Sequence, residues 1–278
     1  MDSGAAPNMV MTYDPVVLFR RGIDLQHEDE YEVAKEHFRV ETLRSRCPDN
    51  SLIIARYSAL PFYRELTLDL ETIGSRLINS YEEHNWISNF DYYDILKDYT
   101  PESWDDNNFY KAPDMQPYVV KGRTNSRKQK WNQCMLASDK EKALEIASEL
   151  ASDPLIGPQG IIYRKYVPLK CFSRGLFDIP YTNEWRFFYY KSNILSYGYY
   201  WSTAPEPEKA SIDEAGTKFA QKIADIVKDY TTFFVLDVAE KADGGWILIE
   251  INDGQMSGLS LNNPSALYGN LKELLPTY

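Results

Sequence analysis

The amino-acid sequence predicts a mixed fold, with an α/β arrangement in the first hundred residues and an α+β arrangement in the C-terminal part. In the first part, apolar runs of strand length alternate with segments of helical periodicity, an order typical of a parallel sheet covered by helices. In the second part, short strands follow each other directly, which favours antiparallel pairing. The chain has 278 residues, 44% of them hydrophobic, enough for two domains or one large one with a sizeable core.

Strands and helices alternate in the first part of the chain. We expect strands at residues 16–19 and 51–56, and helices at 30–43 and 66–77. This βαβα order predicts a three-layer α/β lobe built on a parallel sheet. The following segment, 99–113, is polar and contains two prolines, which is typical of a linker.

The second part of the chain begins with a strand at 118–121 and a basic loop. The elements predicted after it are a helix opening at a capping box of Ser138 and Glu141, a strand at 160–167, two strands within 184–201 that turn at Ser192-Asn193, and a second capping box of Ser211 and Glu214 before a helix ending near Tyr230. A C-terminal hairpin closes the core.

Polar side chains interrupt the two strands of that hairpin, 233–239 and 247–252. An Asp-Gly-Gly between them indicates the turn, because glycine supplies the positive φ that tight turns need. Glu250 and Asn252 point to one face of their strand, and Asp237 on the partner strand can reach the same face. Three oxygen ligands on a rigid sheet suit Mg²⁺. The alternative is a polar, solvated face of an edge hairpin.

Five basic residues and no acidic residue occupy the ten positions from Lys121 to Lys130, inside a strongly acidic protein. A strand-end lysine followed by glycine and small hydroxyl residues can hold phosphate groups through backbone N–H groups and its own charge. The segment is not a P-loop, because Gly-x-x-x-x-Gly-Lys-Ser/Thr is absent from the chain. A solvated basic turn is the alternative.

Two further segments combine charges or glycines with apolar surroundings. Glu184 and Arg186 share one face of an apolar strand, where the arginine could stabilise a transferring phosphoryl group or the two could form a structural ion pair. The loop 254–260 follows Asn252 and contains two glycines. It could approach a substrate through its backbone, or it could be a plain turn.

Composition excludes several classes of protein. The formal net charge of −11 argues against broad binding to nucleic acid or to an anionic membrane. No apolar run has the length of a membrane span, and the N-terminal residues lack the pattern of a signal peptide. Three widely spaced cysteines indicate reduced thiols, so we expect a cytoplasmic protein. The three histidines show no metal-ligand spacing and are expected at structural or surface positions. The nucleophile motifs of triad enzymes and zinc-binding motifs are absent.

The order of the motifs resembles the ATP-grasp superfamily over residues 100–265. The shared order is a strand lysine with a basic small-residue loop, an apolar strand, a Glu-x-Arg strand, and an Asp followed by Glu-x-Asn. The lobe before it is similar to the pre-ATP-grasp domain of those enzymes. Leu-Ile-Ile-Ala-Arg56-Tyr-Ser, Asn79-Ser80, the 121–130 loop and Glu-Ile-Asn-Asp-Gly-Gln resemble the small ATP-grasp clade named for one arginine and two lysines.

This resemblance implies a division into domains and a set of cofactors. A pre-ATP-grasp α/β domain would span 1–105 and an ATP-grasp domain 106–278. The latter would consist of a nucleotide-clamping part, 106–170, and a metal-binding part, 171–278. ATP and Mg²⁺ are the implied cofactors.

The resemblance also implies roles for individual residues. Arg186 would lie near the γ-phosphate, Lys128 would be the second phosphate-binding lysine, and Arg56 would face the acceptor or an acyl-phosphate. Lys130 is the alternative to Lys128, and Arg20, at the end of the first strand, is the alternative to Arg56.

The remaining implied residues hold the cofactors. Lys121 would contact the α- and β-phosphates, and a hinge between the lobes would hold adenine by backbone hydrogen bonds. The residues implied for the nucleotide are Lys121, Lys128, Lys130, Arg164, Lys165, Tyr166, Val167 and Glu184, and those for Mg²⁺ are Asp237, Glu250 and Asn252. The hinge departs from the family pattern, because a glutamate is usual where Arg164 and Lys165 stand.

The implied activity is ATP-dependent ligation of a carboxylate to an amine through an acyl-phosphate, with release of ADP and phosphate. A phosphotransferase acting on a hydroxyl and a non-catalytic nucleotide-binding module are the alternatives. The expected partners are a small-molecule, amino-acid or peptide substrate, with neither nucleic acid nor membrane, and a homodimer is compatible with the family.

Overall fold

We describe residues 14–20, 28–59 and 61–275 of a computed structural model of the chain. Its strands are β1 (Asp14–Phe19), β2 (Arg39–Glu41), β3 (Ser51–Arg56), β4 (Arg76–Leu77), β5 (Ser103–Asp105), β6 (Tyr118–Gly122), β7 (Leu136–Ala137), β8 (Ile161–Lys165), β9 (Cys171–Arg174), β10 (Pro180–Thr182), β11 (Glu184–Tyr190), β12 (Asn193–Tyr199), β13 (Phe233–Glu240) and β14 (Trp246–Asp253). Its helices are α1 (Glu28–His37), α2 (Tyr63–Glu71), α3 (Tyr81–Ser88), α4 (Tyr92–Leu96), α5 (Trp131–Cys134), α6 (Lys140–Ala151), α7 (Glu214–Val227) and α8 (Pro264–Leu274).

The N-terminal sheet is parallel and has the strand order β2-β1-β3-β4. Alternate side chains of its central strands enter two different cores. Val17 and Ile54 pack with residues of α1 and α8 on one face, whereas Val16 and Ile53 pack with α2 on the other. The predicted three-layer α/β lobe is therefore confirmed. One of its layers includes α8, from the far end of the chain, and the domain division near residue 105 stays a prediction.

Two of the helices predicted in this lobe are shorter than their periodicity indicates. The segment 30–43 leaves the helix after His37, and residues 39–41 form β2, which pairs with β1. The segment 66–77 leaves the helix after Glu71, and a turn with Gly74 at φ 69° leads into β4. Both corrections have one cause: pairing with a neighbouring strand outweighs helical propensity over two or three residues.

The second sheet is antiparallel, with the order β5-β8-β6-β7. Its edge strand β5 lies inside the segment 99–113, so the prediction of a linker there is wrong for residues 103–105. Trp104 packs with Phe109 and Tyr118 in the core under this sheet, and the apolar side of α6 covers that core. The polar composition of 99–113 conceals these two aromatic anchors.

The predicted capping boxes at Ser138 and Ser211 do not form. Asp139 caps α6 by accepting from the N–H of Lys142 at 2.9 Å, and Asp213 caps α7 by accepting from the N–H of Gly216 at 2.7 Å. In both cases an aspartate nearer the first helical turn takes the position, because its carboxylate also interacts favourably with the helix dipole. The second of these helices ends at Val227 rather than near Tyr230.

The third sheet is antiparallel, with the order β12-β11-β13-β14, and it contains the two predicted strand pairs of 184–201 and 233–252. One face is apolar and packs on α7. The opposite face changes character along its strands. Phe188 and Val235 pack toward the N-terminal lobe, while Arg186 and Asp237, two residues away on the same strands, are polar. This polar half is the floor of the candidate site.

Within the residues that the structure describes, no helix combines the length and apolarity needed to cross a bilayer.

Candidate functional site

Three charged side chains lie side by side on the floor of the third sheet. In the strand register, Arg186 faces Asp237, and Asp237 faces Glu250. The Arg186 guanidinium donates from Nε and NH2 to the two carboxylate oxygens of Asp237, at 2.8 and 2.7 Å. All three side chains are buried, Asp237 completely. The hairpin is therefore no solvated edge, and Arg186 forms a buried ion pair with Asp237 rather than with Glu184.

A β-bulge in β14 sets the position of Glu250. The register passes from Asp237 opposite Glu250 to Val238 opposite Leu248, so Ile249 is the extra residue. Its carbonyl is free of the ladder and accepts a hydrogen bond from Arg164 of β8. The bulge keeps Glu250 and Asn252 on the floor and ties the second sheet to the third.

Lys121 of β6 reaches across from the second sheet and donates to Glu250. Burial lowers the pKa of Lys121 below its ordinary value, although Glu250 opposes the shift. For Glu250 burial has the opposite tendency, but the charges of Lys121 and Lys128 outweigh it and hold the pKa of that carboxyl well below its usual range. The two groups form a buried, charge-assisted contact between the sheets.

The basic loop after β6 separates the two candidate lysines. Lys128 donates to the Tyr200 hydroxyl at 2.7 Å and lies 3.7 Å from Glu184. Its ammonium is also 4.0 Å from the Tyr200 ring centroid. Burial disfavours its charge, but Glu184 and Tyr200 raise the pKa of Lys128 above its ordinary value. By contrast, Lys130 is exposed.

Glu184 lies beneath Lys128 with an unsatisfied carboxylate oxygen. Its Oε1 is buried and has no hydrogen-bond partner, and the Lys128 ammonium at 3.7 Å is beyond hydrogen-bond reach. Burial raises the pKa of Glu184 to about 7, although Lys128 opposes the shift. A buried acceptor without a donor indicates room for a ligand hydroxyl or amine at this point.

These groups surround a cleft between the second and third sheets, which we call the lysine cavity. Its volume is about 170 Å³. The sequence-predicted residues that line it are Lys121, Lys128, Arg164, Lys165, Tyr166, Val167, Glu184 and Glu250. Lys130 does not line it. The apolar side chains of Val119, Met135 and Ile249 complete its walls.

The hinge strand contributes to this cavity in two ways. The Arg164 guanidinium points inward and donates to the side chains of Ser103 and Thr100, at 3.1 and 2.5 Å. The backbone N–H groups of Lys165 and Tyr166 donate to protein carbonyls. In the described part of the chain, the N–H of Val167 donates to no protein group, so it is available to a ligand.

A second cavity of about 280 Å³ adjoins the first. We call it the histidine cavity, after His84. Glu250 and Ser126 line both cavities, so the two meet at the end of the charged floor. Other residues that line the histidine cavity are Ser58, Ser88, Thr124, Asn125, Arg186, Tyr200, Asn252, Asp253, Met256, Ser257 and Gly258.

Arg56 lines neither cavity. It is buried, and its Nε donates to Glu30 at 2.7 Å, while its two terminal nitrogens donate to the carbonyls of Gly254 and Ser257, the latter at 2.8 Å. All of its donor groups are thus directed into the protein rather than toward an acceptor substrate. Arg56 holds the 254–257 loop, which borders the histidine cavity. Arg20 is exposed at the end of β1 and lines neither cavity.

Comparison with protein families decides the identity of this fold. The model of an ATP-grasp domain, family 3 of the clade named for one arginine and two lysines, matches residues 111–271, more than half of the chain. The chain belongs to this ATP-grasp family. No curated protein gives a significant match.

Solved structures agree with the ATP-grasp assignment. D-cycloserine synthetase DcsG is 12% identical, with a TM-score of 0.59 over 94% of this chain and 100% of its own. The ligase PsnB, complexed with a phosphomimetic variant of its minimal precursor, Mg and ADP, is 13% identical, with a TM-score of 0.53 over 94% and 98%. D-alanyl-alanine synthetase A from Vibrio cholerae O1 biovar eltor str. N16961 is 14% identical, with a TM-score of 0.52 over 90% and 92%. At these identities the likeness establishes the fold.

The floor of this ATP-grasp site fits Mg²⁺ by the chemistry of its donors. Among residues 14–20, 28–59 and 61–275, no three Asp, Glu, His or Cys side chains are grouped to hold a metal ion. The predicted ligands comprise two carboxylates, Asp237 and Glu250, and one amide, Asn252, which lies 3.4 Å from Asp237. Such an oxygen-only set suits Mg²⁺, which completes its shell with waters and phosphate oxygens.

Sequence reasoning missed two residues of this ATP-grasp site, His84 and Tyr200. His84 was expected to be structural or at the surface, yet it lines the histidine cavity. Tyr200 lies between two cations, accepting from Lys128 and placing its ring 4.8 Å from the Arg186 guanidinium. Neither has a local signal, because the residues that give them meaning are distant in sequence.

Proposed function

We propose that this ATP-grasp protein is a ligase that joins a carboxylate to an amine through an acyl-phosphate, releasing ADP and phosphate. The two cavities that meet at Glu250 and Ser126 carry the proposal. A nucleotide in the lysine cavity would place its phosphates at this junction. A second chamber, open beyond the junction, is what a ligase needs for its carboxylate and amine. A nucleotide-binding module has no need of it.

The size and lining of the histidine cavity bear on the substrates. Its volume of about 280 Å³ lies at the low end of the range of about 300–1,000 Å³ for ligand pockets. Hydroxyl and amide side chains, such as Ser58, Ser88 and Asn125, line it. We therefore propose substrates of amino-acid size, or the end of a peptide chain. The similar proteins whose names state amino-acid or peptide chemistry are consistent with this class.

The residues of the lysine cavity would hold the nucleotide. The free N–H of Val167 is placed to bind adenine, and Glu184 Oε1 is placed to accept from a ligand hydroxyl. Lys121 and Lys128 would neutralise the polyphosphate, and Arg186 would offset the charge of the γ-phosphoryl group during transfer. Mg²⁺ bound by Asp237, Glu250 and Asn252 would supply Lewis-acid stabilisation of the same charge.

The basic loop would act as a lid over the nucleotide. The lysine cavity of about 170 Å³ is smaller than typical ligand pockets of about 300–1,000 Å³, and Lys128 closes it by its contact with Tyr200. We propose that residues 123–130 open to admit ATP and then close again. Closure would exclude water from the acyl-phosphate, which water would otherwise hydrolyse.

An isotope experiment tests the reaction. The protein is incubated with ATP, Mg²⁺ and L-amino acids labelled with ¹⁸O in both carboxylate oxygens. In the proposed reaction the carboxylate oxygen attacks the γ-phosphorus, the bond to ADP breaks, and the amine later expels phosphate from the carbonyl carbon. One ¹⁸O atom therefore ends in inorganic phosphate for each amide formed, and mass spectrometry measures both products.

Other outcomes identify the alternatives. A phosphotransferase would give a phosphorylated product without free phosphate, and a binding module would give no ADP. Glu250→Gln is expected to lower amide formation at least about 100-fold, because a clamp on the transferring phosphoryl group is lost. Glu240→Gln is the matched control, since Glu240 pairs with Lys170 and lines neither cavity.

A further inference from the structure

A buried histidine–carboxylate pair borders the histidine cavity. His84 Nδ1 lies 3.1 Å from Asp253 Oδ2, and both side chains are buried. The imidazole also stacks on the Tyr63 ring, with the two centroids 3.9 Å apart and the planes inclined by 2°. Stacking and the hydrogen bond together fix the plane and the rotation of the imidazole.

The carboxylate of this pair is itself held in place. Asp253 Oδ1 accepts from the side-chain amide of Asn79 and from the backbone N–H of Gln255, both at 2.9 Å. Gln255 also donates to the Tyr63 hydroxyl at 2.7 Å. The orientation of Asp253 is therefore determined from three sides, leaving Oδ2 for the imidazole.

This arrangement fixes the tautomer of His84. A carboxylate accepts but does not donate, so Nδ1 carries the proton and Nε2 carries a free electron pair. Among the described residues, no group forms a hydrogen bond with Nε2. Because the imidazole lines the histidine cavity together with Arg186 and Asn252, this nitrogen is available to a molecule bound there.

The other charged groups around the histidine cavity are already engaged. Arg186 donates to Asp237 and to the Gly258 carbonyl, Glu250 accepts from Lys121, and the Tyr200 hydroxyl accepts from Lys128. In the part of the chain that the structure describes, His84 is the side chain at this cavity that combines a free basic atom with a fixed orientation.

We propose that His84 is the general base for the attacking amine and that Asp253 is its positioning residue; this inference rests on the proposed ligase function. The amine nitrogen forms a bond to the carbonyl carbon of the acyl-phosphate, and its proton passes to Nε2 of His84. The bond from that carbon to the phosphate oxygen breaks, and phosphate leaves with the electron pair. Asp253 stabilises the imidazolium that results.

A change of nucleophile separates this role from a structural one. Hydroxylamine is unprotonated at neutral pH and attacks acyl-phosphates without a base, giving a hydroxamate. The protein is supplied with ATP, Mg²⁺ and an equimolar pool of L-amino acids, with and without hydroxylamine. Mass spectrometry measures hydroxamates and dipeptides, and titration calorimetry measures ADP·Mg²⁺ binding as a check of the folded site.

His84→Asn is the main variant, because its amide can still donate to Asp253 while Nε2 is lost. We expect dipeptide formation to fall at least about 100-fold, the lower limit for a general base, with hydroxamate formation within about twofold of the wild type. His84→Gln, which places its amide near Nε2, is the second variant and should show the same division. His37→Asn removes an imidazole from α1, away from both cavities, and should change neither product.

Three results would overturn the inference. Equal loss of hydroxamate and dipeptide in both His84 variants would assign His84 a structural role, and retention of both products would show that no base is needed. If the wild type itself forms neither product, the proposed ligase function fails and the inference fails with it. That last result is read in the wild type alone, so the two failures are distinguishable.

Discussion

The Arg186 guanidinium is bonded to Asp237 through two parallel hydrogen bonds of 2.8 and 2.7 Å, across neighbouring strands in register. Both groups are buried, and the same arginine donates to the Gly258 carbonyl at 2.8 Å. The pair therefore fixes the floor of the site and one end of the loop that borders the histidine cavity. A bidentate contact of this kind restrains orientation as well as distance.

Breaking this pair should destabilise the protein strongly. Arg186→Ala leaves Asp237 buried without its counterion, so we expect the free energy of unfolding to fall by about 3–5 kcal/mol. Urea denaturation measures the change. The double variant Arg186→Met/Asp237→Leu, which removes both charges, should recover most of the loss. Losses that simply add in a double-mutant cycle would contradict the coupling.

The two lysines of the basic loop should differ in their effect on nucleotide binding. Lys128→Ala is expected to raise the Kd for ADP·Mg²⁺ by about 10–100-fold, because a charge-assisted hydrogen bond contributes about 1.5–3 kcal/mol. Lys130→Ala, two positions away and outside the lysine cavity, is the matched control and should stay within about twofold. Titration calorimetry measures both, and equal effects would assign the contribution to general loop charge.

Glu184 predicts a pH dependence of stability. Burial raises its pKa from 4.5 to about 7, so the native state binds more protons than the unfolded state between these values. Stability contributed by this group is present below pH 4.5 and is lost as the pH rises toward 7, by up to about 3 kcal/mol. The stability of the wild type relative to Glu184→Gln should therefore fall across this window and level off above it. Urea denaturation at a series of pH values measures the trend, and parallel curves would contradict it.

The two glycines of the loop after β14 should respond differently to alanine. A Cβ atom at Gly254 would lie 2.8 Å from the ring of Phe233, a buried core residue, whereas one at Gly258 would meet no atom within 4 Å. Gly254→Ala is expected to cost about 1–3 kcal/mol through overpacking. Gly258→Ala should be neutral or slightly stabilising, because it restricts the unfolded chain. Thermal and chemical denaturation compare the two, and equal stability would indicate that Phe233 yields.

Local sequence pattern predicted those parts of the site that lie on single elements. Glu250 and Asn252 share a face because they are two residues apart on one strand, and the Asp-Gly-Gly turn returns that strand to the level of Asp237. The basic loop was visible as five cations without an acid. Lys121 and Lys128 do line one cavity with the hinge, as their order in the ATP-grasp pattern implies.

Long-range pairing decided the rest. Arg56 was assigned to the acceptor by its motif, but Glu30 and the carbonyls of the 254–257 loop use all of its donors. His84 gained its neighbour Asp253 from 169 positions away. The helix α8 joined the N-terminal sheet from the opposite end of the chain.

The sequence by itself determined the α/β and α+β parts, the closing hairpin and the carboxylate–amide set on its floor. Side-chain direction within one strand or helix repeats every 2 or 3.6 residues and can be read locally. Only the tertiary structure decided which buried charges pair, which cavities exist and which nitrogen of His84 is free. Those outcomes depend on desolvation and on the packing of one element against another, which spacing along the chain does not encode.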